Sequence, residues 1–310
     1  MLSRRQLRIK VLQSLYAFFQ ADKSDLAVAE RELFRNIEKV YDLYLYILLF
    51  IIELADSDRN DADDLHLKFF PREEELKAKR RLFDLKFIAE LEKDPAFIRE
   101  SAKTKLSWQK EQDLIRKIFL EVKKSELYLN FLRDGEAAEK DFLIAMVKTF
   151  IEDSDAIQQH IEEENILWPE EFGFVGHVII RMIKTFYDTG KLELLPLYKD
   201  EEEDKEFARL LLRQTIIHNE EFEKSISERT KNWDVDRIAL MDILILKMAL
   251  TELITFSNIP VKVTINEFID ISKEYSTPKS KQFVNGVLDK LAADYKEQGK
   301  INKTGRGLMQ

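Results

Sequence analysis

Apolar residues recur along this chain at three- and four-residue intervals, the period of amphipathic helices. Ser3 with Gln6 three residues on has the pattern of a capping box, and Leu7, Val11, Leu12, Leu15, Tyr16, Phe18 and Phe19 follow it. A second long helix is predicted from about Asp25 to Ala55. It contains the longest uninterrupted apolar run, the ten residues Leu43 to Ile52. A membrane span needs about 20, so this run predicts a core helix. A polar, acidic break is expected over Asp56–Asp64. Pro71 then opens a strongly charged helix, Arg72–Leu91, that Asp94-Pro95 ends. Helices are predicted over 105–133 and 139–152, split by Asp134-Gly135. Gly190 and Pro196 punctuate a further break, followed by the acidic run Asp200–Asp204. Helices resume from Lys205 to about Lys296, and Gln298–Gln310 reads as a frayed tail.

Composition sharpens this to an all-α chain. Only 8 Gly and 6 Pro occur in 310 residues, against an average usage of roughly 12% for the two together, and turn-rich β folds need those residues. With 45% apolar residues the chain can bury a real core, which excludes wholesale disorder. Cys is zero, which removes disulfides, thiolate zinc sites and Cys nucleophiles together. The net charge is −9. Met1–Gln20 carries Arg and no acid, as a mitochondrial transit peptide does, but it is poor in Ser and runs straight into more helix. No secretory pattern is present, so a cytoplasmic location without a membrane anchor is expected.

Residues 139–188 can be laid on 204–253 at a constant offset of 65. Phe142 meets Phe207, Ile151 meets Ile216, Ile161 meets Ile226, Trp168 meets Trp233, and Val178-Ile179-Ile180 meets Ile243-Leu244-Ile245. Two readings stand: a decayed internal copy, or the chance likeness of amphipathic helices.

Little in the sequence suggests catalysis or a metal. His66, His160, His177 and His218 are far apart, with no two at ligand spacing on one helix face. There is no Gly-rich phosphate loop, G-x-S-x-G or H-E-x-x-H, so neither an enzyme nor a cofactor is expected. The first helix is more informative. Arg4, Arg5 and Arg8 share one side of its opening turns, and Lys10 extends the positive region. Cations there oppose the helix dipole at a few tenths of a kcal/mol each. A bound polyanion gives one reason for them, since Arg pairs bidentately with phosphate. Pairing with acids elsewhere in the chain gives another.

Near the C-terminus, Thr264 with Glu267 has the pattern of a capping box, followed by Phe268, Ile269 and Ile271. Ser276-Thr-Pro278 breaks that helix, Lys279-Ser280-Lys281 forms a short basic loop, and Ser280 is placed to cap the next helix. Gly286 inside that helix costs about 1 kcal/mol relative to Ala, which predicts a close helix–helix approach.

These residues reach a family. Pro260-Val-Lys-Val-Thr-Ile-Asn-Glu267, followed by Ser280-Lys-Gln-Phe-Val-Asn-Gly-Val-Leu-Asp289, closely resembles the signature of the bacterial transcription antitermination NusB family. Trp233 and Asp236-Arg237-Ile238-Ala239 through Ala249-Leu250-Thr251-Glu252-Leu253 fit the helix before it. Arg4-Arg5-Gln-Leu-Arg8 with Gln13-Ser-Leu15-Tyr16 resembles the family's Arg-rich opening helix. The resemblance covers about residues 1–55 and 201–295. Residues 56–200 have no counterpart in the usual shorter members, and 296–310 is left as a flexible tail.

The resemblance implies an all-α, NusB-like bundle of two sub-bundles, here with an additional helical insertion. It implies a non-catalytic transcription antitermination factor that binds boxA-type single-stranded RNA of nascent ribosomal transcripts. The protein would do so together with the ribosomal protein called NusE in this role, and with other Nus factors and RNA polymerase. RNA contacts are expected at Arg4, Arg5, Arg8, Lys10, Gln13, Tyr16, Lys279, Lys281 and Phe283. The NusE-type partner is expected at Asp242 and Phe207. The family often has Arg where Gln6 stands and an acid near Lys279. For Tyr16 and Phe283, core packing and base stacking both remain open, and Asp242 is either a satisfied buried acid or a partner contact. Exchange of Arg4, Arg5 and Arg8 together for Ala is expected to abolish RNA binding with little loss of fold. The runner-up readings are a helical adaptor acting through the inserted region without RNA affinity, and an enzyme accessory domain.

Overall fold

The computed structural model describes residues 1–21, 25–64, 80–230 and 239–304. Among them the regular structure is helical, as the sequence pattern predicts. Two compact units are formed, one from Met1–Ile37 with Tyr198–Gln310, the other from Glu38–Leu197.

The first unit opens with α1, Arg4–Gln20. Its capping box is formed as the sequence predicts: the Ser3 hydroxyl accepts from the Gln6 amide while the Gln6 side chain reaches back to the Ser3 backbone. The helix α2, Leu26–Asp63, contributes residues as far as Ile37 to this unit. The C-terminal part supplies α10 Glu201–Ile217, α11 Asn219–Thr230, α12 Leu240–Thr255, α13 Val261–Tyr275 and α14 Ser280–Glu297. Helix α12 is central: α1, α10, α11, α13 and α14 all contact it. It is the most apolar of these helices, and Leu244, Ile245, Leu246, Met248, Ala249, Leu250 and Leu253 are buried.

Several boundaries differ from expectation. The acidic run does not delay α10 to Lys205. Asp200 is its N-cap, accepting from the Glu203 amide at 3.0 Å, and the acids of the first turn complement the helix dipole. Thr264 and Glu267 form no capping box. Pro260 already sets the chain for a helix that begins at Val261, which frees both side chains for tertiary contacts. Ser280 is the first residue of α14 rather than its cap. Gly286 supports no close approach, because a Cβ added there meets nothing within 4 Å. The tail is held as far as it is described. Lys303 Nζ donates to the carbonyls of Glu252 and Phe256 at 3.1 and 2.8 Å, and the Thr304 amide to Ser257 at 2.9 Å. The tail residues 305–310 lie outside the described residues.

The second unit begins inside α2. The expected acidic break over 56–64 is instead helix as far as Asp63. Asp58 is fully buried there, accepting from the Tyr128 hydroxyl and the Leu82 amide, both at 2.7 Å, with Arg81 at 3.3 Å. The apolar run Leu43–Ile52 is core, as predicted. Tyr46 stacks on Trp108 at 4.2 Å and bonds His160 at 2.8 Å, and Trp108 Nε1 donates to the Tyr46 carbonyl. The remaining helices are α3 Lys86–Leu91, α4 Pro95–Thr104, α5 Gln112–Lys124, α6 Glu126–Asp134, α7 Glu139–Val147, α8 Asp155–Glu164 and α9 Pro169–Thr189. A π turn, Lys148–Glu152, extends α7.

The charged helix expected over Arg72–Leu91 lies partly outside the described residues. From Arg80 on it is a 3-10 turn, Leu82–Asp84, then α3. Asp94-Pro95 is a start as well as a stop, because Asp94 caps α4 by accepting from Phe97. The single helix expected over 105–133 is two, since the Ser125 hydroxyl ends α5 and caps α6. Gly190 ends α9 in the left-handed conformation, where the missing Cβ avoids strain. At the offset of 65, α7 with its π turn falls on α10, α8 on α11 and the end of α9 on that of α12. Phe142 and Phe207 are both buried, as are Ile161 and Ile226, while Trp233 lies outside the described residues.

Candidate nucleic-acid interface

The three arginines of α1 each meet acids of other helices. Arg8 is the innermost, with a side chain 4% exposed. Its Nε and Nη2 donate to Glu252 of α12 at 2.7 and 2.9 Å in a two-pronged pair, and Glu252 is fully buried. Thr264 of α13 donates to the same carboxylate at 2.8 Å, and Arg8 Nη1 reaches Glu267 at 3.5 Å. This network joins α1, α12 and α13. The expectation that Arg8 is dispensable for the fold is therefore corrected. A buried carboxylate must have a partner, and Arg8 is that partner.

Arg4 and Arg5 lie nearer the surface, their side chains 31% and 38% exposed. Arg4 pairs with Glu203 at 2.7 Å and Asp204 at 3.3 Å, and its guanidinium stands 4.4 Å over the Phe207 ring. Arg5 pairs with Glu267 at 3.1 Å and Asp270 at 2.9 Å, and the Glu267 hydrogen bond raises its pKa. Asp270 is held below the usual carboxylate range by hydrogen bonds from Lys273 and then Arg5. An open groove of about 930 Å³ borders these arginines, with Phe207, Phe256 and Val263 on its apolar side and Glu202 and Glu206 on its rim.

The other expected residues divide by burial. Lys10 and Phe283 are buried, Gln13 is half-buried, and each has a partner in the fold. Tyr16 is 42% exposed. Lys279 and Lys281 are exposed and form no ion pair among the described residues. Phe207 is buried beneath Arg4. Asp242 is also buried. Its Oδ2 accepts from the Ser280 hydroxyl at 2.7 Å, which ties the basic loop to α12. Its Oδ1 has no hydrogen-bond partner among the described residues.

Helices α1 and α12 run in opposite directions: Arg8 meets Glu252 near the end of α12, whereas Phe19 lies 5.5 Å from Lys247. Asp242 holds the basic loop near the start of α12, so Arg4 and Arg5 stand at one end of the unit and the loop at the other. Helix α13 runs between them with Asp270 and Lys273 on its surface. Reasoning along the sequence missed Glu252 and Glu267 as the acids that hold Arg8 and Arg5, and Ser280 as the residue that bonds Asp242. The signal was present, since charged residues in a helix as apolar as α12 must be paired within the fold.

The family model described as the NusB family matches residues 184–293. The transcription antitermination protein NusB of Geobacter sulfurreducens is 40% identical over 111 residues, which cover 34% of this chain and 80% of that protein. The chain belongs to the NusB family. The NusB of Salinibacter ruber is 47% identical over 105 residues, 34% of this chain and 66% of that protein. The NusB of Chloroherpeton thalassium is 36% identical over 105 residues and half of that protein. The chain thus spans between half and four fifths of the length of these NusB relatives. A solved structure of T. maritima NusB is 29% identical over 38% of this chain and 86% of that one. Its TM-score of 0.30 is too low to bear on the fold. Helix α1 and residues 38–183 fall outside the NusB family match. No helix of the described residues is long and apolar enough to cross a membrane.

Proposed function

We propose that this protein is a transcription antitermination factor that works by binding and not by catalysis. Its ligand is boxA-type single-stranded RNA, and it acts with a NusE-type ribosomal protein, other Nus factors and RNA polymerase in the cytoplasm. The observation that carries the reading is its 40% identity across four fifths of a protein named for transcription antitermination. Three features of the first unit support it. The half-exposed Arg4 and Arg5 offer guanidinium groups at a helix N-terminus, where anions are favoured. The exposed Lys279 and Lys281 add a second phosphate contact region. Tyr16 presents an aromatic face to solvent, suited to stacking on an unpaired base.

Net charge does not oppose this reading. Phosphate contacts are set by local cations, each of which releases counterions on binding. Acids already pair Arg4 and Arg5, so RNA exchanges one anion for another there while the guanidinium stays in place. Asp242 is the residue we assign to the protein partner. A buried carboxylate oxygen without a donor is costly, and a partner's N–H reaching Oδ1 relieves that cost. The helices α7–α9 are read as a decayed copy of α10–α12 that elaborates the family's bundle.

The reading is tested by transcription in vitro through a terminator placed downstream of a boxA sequence. Read-through is expected to rise when this protein and a NusE-type partner are added together to the other Nus factors. Read-through that stays at its basal level with the full set present would overturn the assignment.

A further inference from the structure

A second pocket, of about 460 Å³, lies between α13 and α14, lined by Asn266, Ile269, Asp270, Lys273, Lys281, Gln282 and Asn285. It falls on the path between the two basic ends of the unit. Asp270, in its wall, is the acid that Arg5 grips, and Lys281 is the second residue of α14. Its chemistry is unusual for a surface hollow. Three carboxamides, Asn266, Gln282 and Asn285, are exposed and make no side-chain hydrogen bond among the described residues. Two lysines flank them, Lys281 unpaired among the described residues and Lys273 bonded to Asp270. Ile269 supplies a half-buried apolar surface.

Gly286 adds an independent observation. It lies one turn on from Gln282, on the same exposed face of α14, and none of the described residues occupies the space its missing side chain leaves. A glycine inside a helix costs about 1 kcal/mol, and no packing among the described residues repays it. A glycine facing open space beside polar groups that lack partners lets a ligand approach the backbone closely.

We propose that this pocket receives one unpaired nucleobase of the bound RNA, adenine by preference. The proposal rests on the RNA-binding reading above and deepens it. Carboxamide side chains pair with adenine through a donor and an acceptor at once, and unpaired bases expose those edges to proteins. Lys273 and Lys281 hold the flanking phosphates, Ile269 meets the face of the base, and Gly286 leaves room for its sugar. The strand then passes from Arg5 over α13 to the basic loop, with the pocket as the point where sequence is read.

The test uses the full chain and a fluorescent boxA-type RNA, with each position in turn made abasic. In the unaltered protein, loss of one base is expected to weaken binding about tenfold. In the double variant Gln282→Ala/Asn285→Ala, affinity for intact RNA falls about tenfold, the slope of affinity against salt is unchanged, and the abasic position no longer matters. Gly286→Gln is expected to weaken RNA binding while raising the melting temperature, which separates binding from folding. If the unaltered protein binds RNA selectively and both variants match it at every position, the pocket assignment is overturned and the RNA reading stands. If the unaltered protein binds no RNA, both fall together.

Discussion

Replacing Arg8 by Ala tests how the first unit is held together. The guanidinium is 4% exposed and meets Glu252, which is 0% exposed, through two bonds of 2.7 and 2.9 Å. Removing it leaves a carboxylate in the interior with the Thr264 hydroxyl as its remaining hydrogen-bond donor among the described residues. Breaking a buried pair from one side costs about 3–5 kcal/mol, a large part of the 5–15 kcal/mol typical of a folded protein. The more exposed Arg5 pairs are of the kind worth about 0.2–1 kcal/mol, so Arg5→Ala serves as the control. The assay is urea unfolding followed by far-UV circular dichroism, with hydrogen exchange in peptides of α1, α12 and α13 to locate the loss. Arg8→Ala is expected to lower the midpoint strongly and to deprotect all three helices. The pair Arg8→Met/Glu252→Leu, which removes both charges, is expected to recover much of the loss. A cost for Arg8→Ala within 1 kcal/mol of that for Arg5→Ala would refute the reasoning. The same argument makes Arg4→Ala/Arg5→Ala, and not the triple exchange with Arg8, the proper test of RNA contact at α1.

Other consequences follow from individual contacts. Lys279→Gln is expected to weaken RNA binding for boxA and scrambled sequences alike and to lower the salt slope by about 1; an unchanged slope would remove Lys279 from the phosphate contacts. Burial holds the Lys303 amine down at about 8 against the ordinary 10.5, so the folded protein binds fewer protons than the unfolded chain between those values. Stability relative to Lys303→Met should therefore rise with pH from 8 to 10.5, and a flat difference in unfolding free energy would contradict this. Asp58→Ala removes the buried acceptor of the Tyr128 hydroxyl and the Leu82 amide and one ion-pair partner of Arg81, and is expected to destabilise the second unit by about 3–5 kcal/mol in a urea titration; a loss below 1 kcal/mol would show that those groups find other partners.

Much of the helical framework is legible along the chain, because caps and periodicity act over three or four residues. Ser3 with Gln6, the run Leu43–Ile52 and the stop at Gly190 all behave as their local chemistry predicts. Contacts between distant segments are not legible in this way. Thr264 and Glu267 carry a capping pattern, yet Pro260 starts the helix earlier, the Thr264 hydroxyl donates to Glu252, and Glu267 pairs with Arg5 and Arg8 from the far end of the sequence. Asp56–Asp64 looks like a break because it is polar and acidic. The segment remains helical, with the Asp58 carboxylate satisfied by Arg81, Tyr128 and Leu82. The two compact units divide at 37/38, where the apolar run after Glu38 buries itself among Trp108, His160 and Met182.

The candidate site divides in the same way. Basic residues at α1 and in the loop are visible from charge alone, but which are accessible depends on tertiary pairing, and Arg8 and Lys10 are buried. The carboxamides Asn266, Gln282 and Asn285 carry no charge signal, and the pocket they line with Lys273 and Lys281 emerges only when α13 and α14 are set side by side.

The central claim, that this chain binds a specific single-stranded RNA together with a protein partner, is tested most directly by fluorescence anisotropy. A boxA-type RNA is compared with a scrambled one, with and without the NusE-type protein, at two salt concentrations. The account predicts selective binding that weakens steeply as salt rises and tightens when the partner is present. Equal affinity for the two RNAs, or no binding in any condition, would contradict it.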